Sequence, residues 1–361
     1  MVHPPTPSSQ SLQGPFQPAR RGFGVDAIRV GDDMITVTQR DVQASPFCTL
    51  VQLHADSQRD AARLLVVPPL SGHFPFVMRD LFAALARDHD VFVTDWTNAR
   101  HVPVKHGNFH FDDNVERVMD ALRFLGPETR VLALCQGGVP ALAATALLTE
   151  EGIAPRALVL IAAPIDPLAN PTRVVELLRE RSMDWFESHV IQTVEPRFPG
   201  AGRRVYPAST QLLGLMTYLG RHLAERGELF EKLTRDDGAD PDRFPFLDLY
   251  TSVMDLPDAV FLENIRLVFH ERAIADGTLR ISNRPVDCRA IAPTALMTIE
   301  GEKDDIAAPG QTEAAHGLCP NIPDARRRHL LVADCGHFST FYGDKLRGTI
   351  APAITAFLQA A

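Results

Sequence analysis

Apolar positions along this chain change period repeatedly, and each change predicts a new element. "RLLVVP" (Arg63–Pro68) is an almost unbroken apolar run, as expected of a strand buried on both faces of a parallel sheet. "FVMRDLFAALARD" follows with Val77, Leu81, Ala84 and Leu85 at helical spacing, and "VFVTDW" (Val91–Trp96) predicts the next strand. "DDNVERVMDALRFLG" returns to the helical period through Val115, Val118, Met119, Leu122 and Leu125. Asp112 or Asp113 suits its N-terminus, and Gly126 stands where a helix-ending glycine is expected. The strands "RVLAL" and "ALVLIAAP" come next, then "TALMTIEG" and "HLLVAD" much later, and a last helix over "IAPAITAFLQ". Two early strands, "MITVTQ" and "CTLVQLH", precede them all. Strands alternating with helices predict an α/β fold, a mostly parallel sheet with helices on both faces.

The alternation stops between residues 167 and 290. That stretch reads as helical, carries large apolar residues such as Trp185, Phe186, Phe230, Phe246, Tyr250 and Phe261, and is too long for a loop. It is expected to be a helical cap inserted between late strands, with 26–166 and 291–361 forming the core. Residues 1–25, rich in Pro, Ser and Gln, are expected to be a disordered tail.

Composition narrows the function. A net charge of −9 disfavours phosphate backbones and anionic lipid, so no nucleic-acid partner is expected. The short basic runs (Arg20-Arg21, Arg203-Arg204, Arg326–Arg328) read as solvated loop charge. The five cysteines lack the spacing of a zinc or redox pair, so no metal is expected. No leader-like apolar segment and no run long enough for a transmembrane segment appear, and a reducing cytoplasm fits.

The candidate chemistry starts at Ala133-Leu134-Cys135-Gln136-Gly137, which ends a strand and opens a helix. This is the context of a nucleophile elbow with cysteine in place of serine. A sharp strand-to-helix turn demands small neighbours, and a helix N-terminus favours the thiolate. An α/β-hydrolase fold orders its triad as nucleophile, acid, base, with acid and base on loops after late strands. Asp304 follows "TALMTIEG" and His337 follows "HLLVAD", each in the required order. Asp305, and Asp166 in "APIDP", are the alternative acids. The backbone N–H of Gln136 is one candidate donor to an oxyanion. The second is sought in "PPLSGHF", at Leu70 or Ser71. His73, in the same loop, is weighed as a substrate contact against plain loop surface. The other four cysteines read as small buried hydrophobes.

With these residues in place, the chain resembles the intracellular poly(3-hydroxybutyrate) depolymerases. The segments that carry the likeness include "CQGGVPALAA", "APIDPLANPTRV", "FPGAGRRVYPASTQLLG", "YTSVMDLPDAVFLENIRLVF", "IEGEKDDIAAPGQTEAAHGLCPNIP" and "CGHFSTFYG". The resemblance implies a cysteine nucleophile at Cys135, with acid and base at Asp304 and His337. It also implies a storage polyester as substrate, action at polyhydroxybutyrate granules and no cofactor. The apolar cap would then supply a path for the polymer, with Phe246, Tyr250 and Met254 facing the site. "CQGG" also occurs in polyhydroxyalkanoate synthases, which make ester bonds from thioesters. In those enzymes the aspartate is usually followed by histidine, whereas here the motif is Asp304-Asp305-Ile306. A non-catalytic granule-binding protein is the third reading. A homo-oligomer is compatible with all three.

Overall fold

The computed structural model describes residues 22–55, 61–71, 78–214 and 253–361. Its main sheet has nine strands. Three lie at the N-terminal edge: β1 (Ala27–Val30), β2 (Asp33–Ala44) and β3 (Cys48–Ala55). The others are β4 (Ala62–Val67), β5 (His89–Trp96), β6 (Arg130–Leu134), β7 (Ala157–Ile161) and, after an insertion, β13 (Ala295–Gly301) and β14 (Arg327–Val332). Their spatial order is β1-β2-β3-β5-β4-β6-β7-β13-β14. From β5 to β14 every pair is parallel, whereas β1 to β3, and the β3–β5 pair, are antiparallel. The swap of β4 and β5 in space makes β4 and β6 neighbours, so the loops after both strands meet at one edge. This is the α/β-hydrolase arrangement. A crevice outside the carboxyl ends of such strands is where open α/β sheets bind ligands.

The apolar patterns explain the layers. β4, β6 and β7 are buried along nearly their whole length, because helices cover both faces. On one face lie α2 (Phe111–Leu125) and α3 (Gly138–Glu150), and on the other α1 (Arg79–Leu85) and the C-terminal helix, named α7 here (Ala351–Ala360). α3 is buried from Gly138 through Leu148, as a helix that is apolar all round must be. Gly126 closes α2 at φ 89°, the role its position predicts. Asp113 supports the other end of α2, but His110 is the N-cap residue, its amide donating to the Asp113 carboxylate at 2.7 Å.

Between β7 and β13 the described residues form α4 (Arg173–Glu180), α5 (Met183–His189) and α6 (Asp258–Asn264), the last running into a π-helical turn over Ile265–His270. They also form strands, which the helical reading of this stretch did not anticipate. β8 (Gln192–Thr193), β9 (Arg204–Tyr206) and β10 (Leu256–Pro257) make a small antiparallel sheet, and β11 (Arg280–Ile281) pairs with β12 (Arg284–Pro285). Strands of two or three residues are too short to show a period in sequence.

Two further expectations need correcting. Arg203 is not solvated charge. It is buried, and its guanidinium donates to the carbonyls of Val102, Pro103 and Gly107 at 2.7–3.0 Å, which ties β9 to the core. Arg204, by contrast, is exposed and paired with Glu187 and Asp258. The polar tail ends earlier than residue 25, because Phe23 and Val25 are buried and Phe23 packs edge-on against Phe82. Up to residue 21, that tail lies outside the described residues, as does Arg20-Arg21. Among the described residues, no helix is long and apolar enough to cross a membrane.

Candidate active site

Cys135 sits between β6 and α3 at φ 47°. A non-glycine residue in that region costs about 1–3 kcal/mol and persists only where the surroundings enforce it. Here the enforcing feature is the abrupt change from an extended Leu134 to the helical turn at Cys135–Gly137. The turn is crowded. A Cβ on Gly137 would meet the Val67 carbonyl oxygen at 2.5 Å and that of Pro68 at 3.1 Å. Only glycine therefore lets the elbow press against the end of β4. Gly137→Ala is expected to destabilise the fold by about 1–3 kcal/mol, as overpacking does, and to lower activity by displacing the Pro68–Ser71 loop. Denaturant unfolding and an ester assay check the two parts.

Cys135 differs from the other four cysteines. Cys48, Cys288, Cys319 and Cys335 are buried, whereas Cys135 is half-buried and lines a cavity. Burial pushes the Cys48 thiol upward in pKa. Contact with Cys319 and burial do the same to Cys288, which fits both as inert core residues.

The two late loops bring Asp304 and His337 to the cavity that Cys135 lines. His337 Nδ1 lies 2.7 Å from Asp304 Oδ2, and the Asp304 side chain has no exposed surface. Its other oxygen, Oδ1, accepts from the amides of Ile306 and Ala307 at 2.9 and 2.8 Å, so the carboxylate is held from both sides. Cys135 and His337 line the same cavity, and the thiol favours the charge of the imidazole. The imidazole is therefore between a carboxylate and a thiol. Burial opposes its charge, but Asp304 and Cys135 favour the charge more strongly, and its pKa is raised well above the usual imidazole range.

Several residues that sequence reasoning missed hold this geometry. Gly301 ends β13 where a Cβ would come within 2.4 Å of the Cys335 carbonyl oxygen, so its absence lets the two loops touch. The Lys303 amide donates to that same carbonyl at 2.9 Å. Glu300, fully buried on β13, accepts from the amides of Gly310, Thr312 and Glu313 at 2.7–3.0 Å and so fixes the loop that carries Asp304. The sequence signal was an acid inside the apolar run "TALMTIEG". On the other side of the site, the Trp96 indole donates to the Pro68 carbonyl at 3.1 Å and braces the loop after β4.

That loop separates the two oxyanion candidates. The Ser71 amide donates to Gln136 Oε1 at 2.8 Å, so it is turned to that side chain and not offered to substrate. This corrects the expectation for Ser71 and leaves Leu70. The Gln136 amide opens the turn ahead of α3, where helical N–H groups lack intrahelical partners. Asp166 is corrected too. It forms a two-point ion pair with Arg272 at 2.8–2.9 Å, so its carboxylate serves to hold Arg272 instead of His337. Asp305 is exposed beside the buried Asp304. Met254 does not line the cavity. It is buried with Leu70, Trp96 and Phe109 behind the loop, and its carbonyl accepts from Gln211 Nε2 at 2.6 Å. His73, Phe246 and Tyr250 lie outside the described residues.

The cavity over Cys135 has a volume of about 400 Å³. Cys135, Gln136 and His337 contribute to it from the core. Val174 and Leu178 of α4, Tyr206 of β9, and Phe261, Asn264, Ile265 and Phe269 of α6 and its π turn contribute from the insertion. Its walls are mainly apolar, which suits an ester substrate with little charge.

The fold is shared widely among solved structures. The lipase candidate Lip1 of Acinetobacter baumannii AYE superimposes at TM-score 0.52 with 12% identity, over 90% of this chain and 93% of that one. A carboxylesterase of the thaumarchaeon Nitrososphaera gargenis matches at TM-score 0.49 and 11% identity, over 92% and 99%. Carboxylesterase CesB of Bacillus subtilis matches at 0.47 and 13%, over 91% and 93%. At these identities the first likeness speaks for the fold alone. No curated protein sequence matches the chain significantly. The family model described as "PHB de-polymerase C-terminus" matches residues 162–361, more than half of the chain, including Asp304, His337 and the insertion that roofs the cavity. With that match, the chain belongs to the poly(3-hydroxybutyrate) depolymerase C-terminus family.

Proposed function

We propose that this protein hydrolyses ester bonds of poly(3-hydroxybutyrate) through Cys135, His337 and Asp304, releasing 3-hydroxybutyrate or its short oligomers. The observation that carries this reading is the buried 2.7 Å contact between His337 and Asp304, with His337 and Cys135 lining one mainly apolar cavity. Membership of the family supports this choice of substrate.

His337 takes the proton of the Cys135 thiol through its second ring nitrogen, and the sulfur attacks the ester carbonyl carbon. Asp304 keeps the imidazole in one tautomer and favours its cation. The oxyanion that forms is met by the amides of Gln136 and Leu70. Collapse breaks the carbon–oxygen bond, and the leaving alkoxide takes the proton from His337. A thioester remains on Cys135. Water then attacks it, giving one proton to His337, and the thiol leaves with that proton as the acid departs.

Action on amorphous granules in the cytoplasm follows from the family's substrate and belongs to the same proposal. The test is product analysis on amorphous polymer, with and without coenzyme A, for the parent protein and Cys135→Ala. Soluble 3-hydroxybutyrate released by the parent and not by the variant is the expected result. Polymer growth from 3-hydroxybutyryl-coenzyme A without release of soluble acid would instead establish the synthase-like acyltransfer that "CQGG" brings into view. Unchanged granule binding by an inert parent would establish a non-catalytic role.

A further inference from the structure

Asn264 is the last residue of α6, where the helix gives way to its π turn. Such turns recur at functional sites. Asn264 is only 6% exposed, yet it lines the cavity beside Phe261, Ile265 and Phe269. No hydrogen bond among the described residues engages its carboxamide, which is open to the cavity. The other amide side chains around the cavity are engaged: Gln211 donates to the Met254 carbonyl, and Gln136 accepts from the Ser71 amide. In ligand cavities with apolar walls, a few such polar groups fix the orientation of what binds. An asparagine is also a weaker helix former than the residues that would fill this position for packing alone.

We infer that Asn264 orients the acyl part of the substrate by hydrogen-bonding the oxygen on its third carbon. The inference rests on the reading above, in which Cys135 attacks an ester carbonyl inside this cavity. Every repeat of the polymer bears an oxygen at that carbon, a hydroxyl at the chain end and an ester oxygen within the chain. A carboxamide offers both an acceptor oxygen and two donor hydrogens, so it serves either form. The methyl-branched carbon chain meets the apolar walls. A plain fatty acyl group would leave the buried amide unbonded, and such a site discriminates against it.

The test compares p-nitrophenyl 3-hydroxybutyrate with p-nitrophenyl butyrate on the full-length protein. Asn264→Leu is expected to lower kcat/KM for the hydroxylated ester by about 10–100-fold and to leave the butyrate ester within about two-fold. Equal losses on both esters, or no loss on either, would overturn the inference. Asn264→Asp keeps the shape and an acceptor oxygen, so it guards against misfolding of the leucine variant. It should still prefer the hydroxylated ester, and loss of all preference would count against the inference. A parent protein inactive on both esters would sink ester hydrolysis but not decide Asn264. In that event, calorimetry in the Cys135→Ala background compares methyl 3-hydroxybutyrate with methyl butyrate. Tighter binding of the hydroxylated ester that disappears with Asn264→Leu supports the role, and its persistence overturns it.

Discussion

Cys135→Ala is expected to abolish ester turnover while leaving the fold intact. The substitution removes one sulfur from a half-buried position on a cavity wall, so little packing is lost. The backbone keeps its turn, because alanine bears the same Cβ that cysteine already tolerates at φ 47°. The melting temperature should therefore stay within a few degrees of the parent. The other four cysteines are buried, and among the five cysteines it is Cys135 that bears on the charge of His337, so the variant is expected to lose its nucleophile. Residual hydrolysis above background, measured by titration of released acid, would assign the nucleophile elsewhere.

The second large effect is expected at Asp304. Asp304→Asn keeps the volume but removes the charge that His337 shares and inverts the hydrogen bond at Nδ1. Loss of the oriented tautomer in a triad costs on the order of 10³–10⁴ in kcat. The same substitution has a pH signature in stability. In the folded parent, Asp304 and Cys135 outweigh burial and raise the His337 pKa, so the folded state binds the proton more tightly than the unfolded chain does. That contribution is fully present below the unfolded imidazole value of about 6.5 and is lost as pH rises through the raised folded value. With asparagine, Cys135 remains to favour the charge but the contribution of Asp304 is gone, so burial opposes the cation with less against it. The stability gap between parent and Asp304→Asn should thus be widest below about pH 6.5 and narrow toward alkaline pH. A gap that is flat with pH, or that widens upward, would mean that the two residues are not electrostatically linked.

The three residues of the candidate triad were legible because each sits just past a strand that its own apolar run announces. Cys135 follows "RVLAL", Asp304 follows "TALMTIEG" and His337 follows "HLLVAD". The order of the sheet, with β4 beside β6, then brings their loops together. What holds them was not legible, because it depends on pairings between residues far apart in the chain. Gln136 and Ser71 are 65 residues apart, and nothing local marks the glutamine side chain as the partner of that amide. Asp166 looked like an alternative acid for the same reason that Asp304 did, since both follow a strand. Only its pairing with Arg272, 106 residues on, separates the two. Arg203 reads as surface charge in sequence, and the three carbonyls that receive it lie about a hundred residues earlier, at 101, 100 and 96 positions away. Met254 shows the converse limit: its apolar character was correctly read, but a large apolar residue in a cap packs as readily behind a loop as along a cavity.

The cavity wall follows the same division. Phe261, Asn264, Ile265 and Phe269 recur at the spacing of one helical face, a pattern present in "FLENIRLVF". The pattern alone does not say whether that face meets a core or a substrate. Its position over Cys135 does, and the unpaired amide in an otherwise apolar stripe becomes informative only then.

The most direct measurement is mass analysis of the protein after brief exposure to a short 3-hydroxybutyrate oligomer and an acid quench. A mass increase of one or more 3-hydroxybutyryl groups is expected on the peptide that holds Cys135. The adduct should be released by hydroxylamine, as a thioester is, and be absent from Cys135→Ala. Release of soluble acid with no adduct on Cys135, or an adduct that survives the alanine substitution, would contradict Cys135 as the nucleophile.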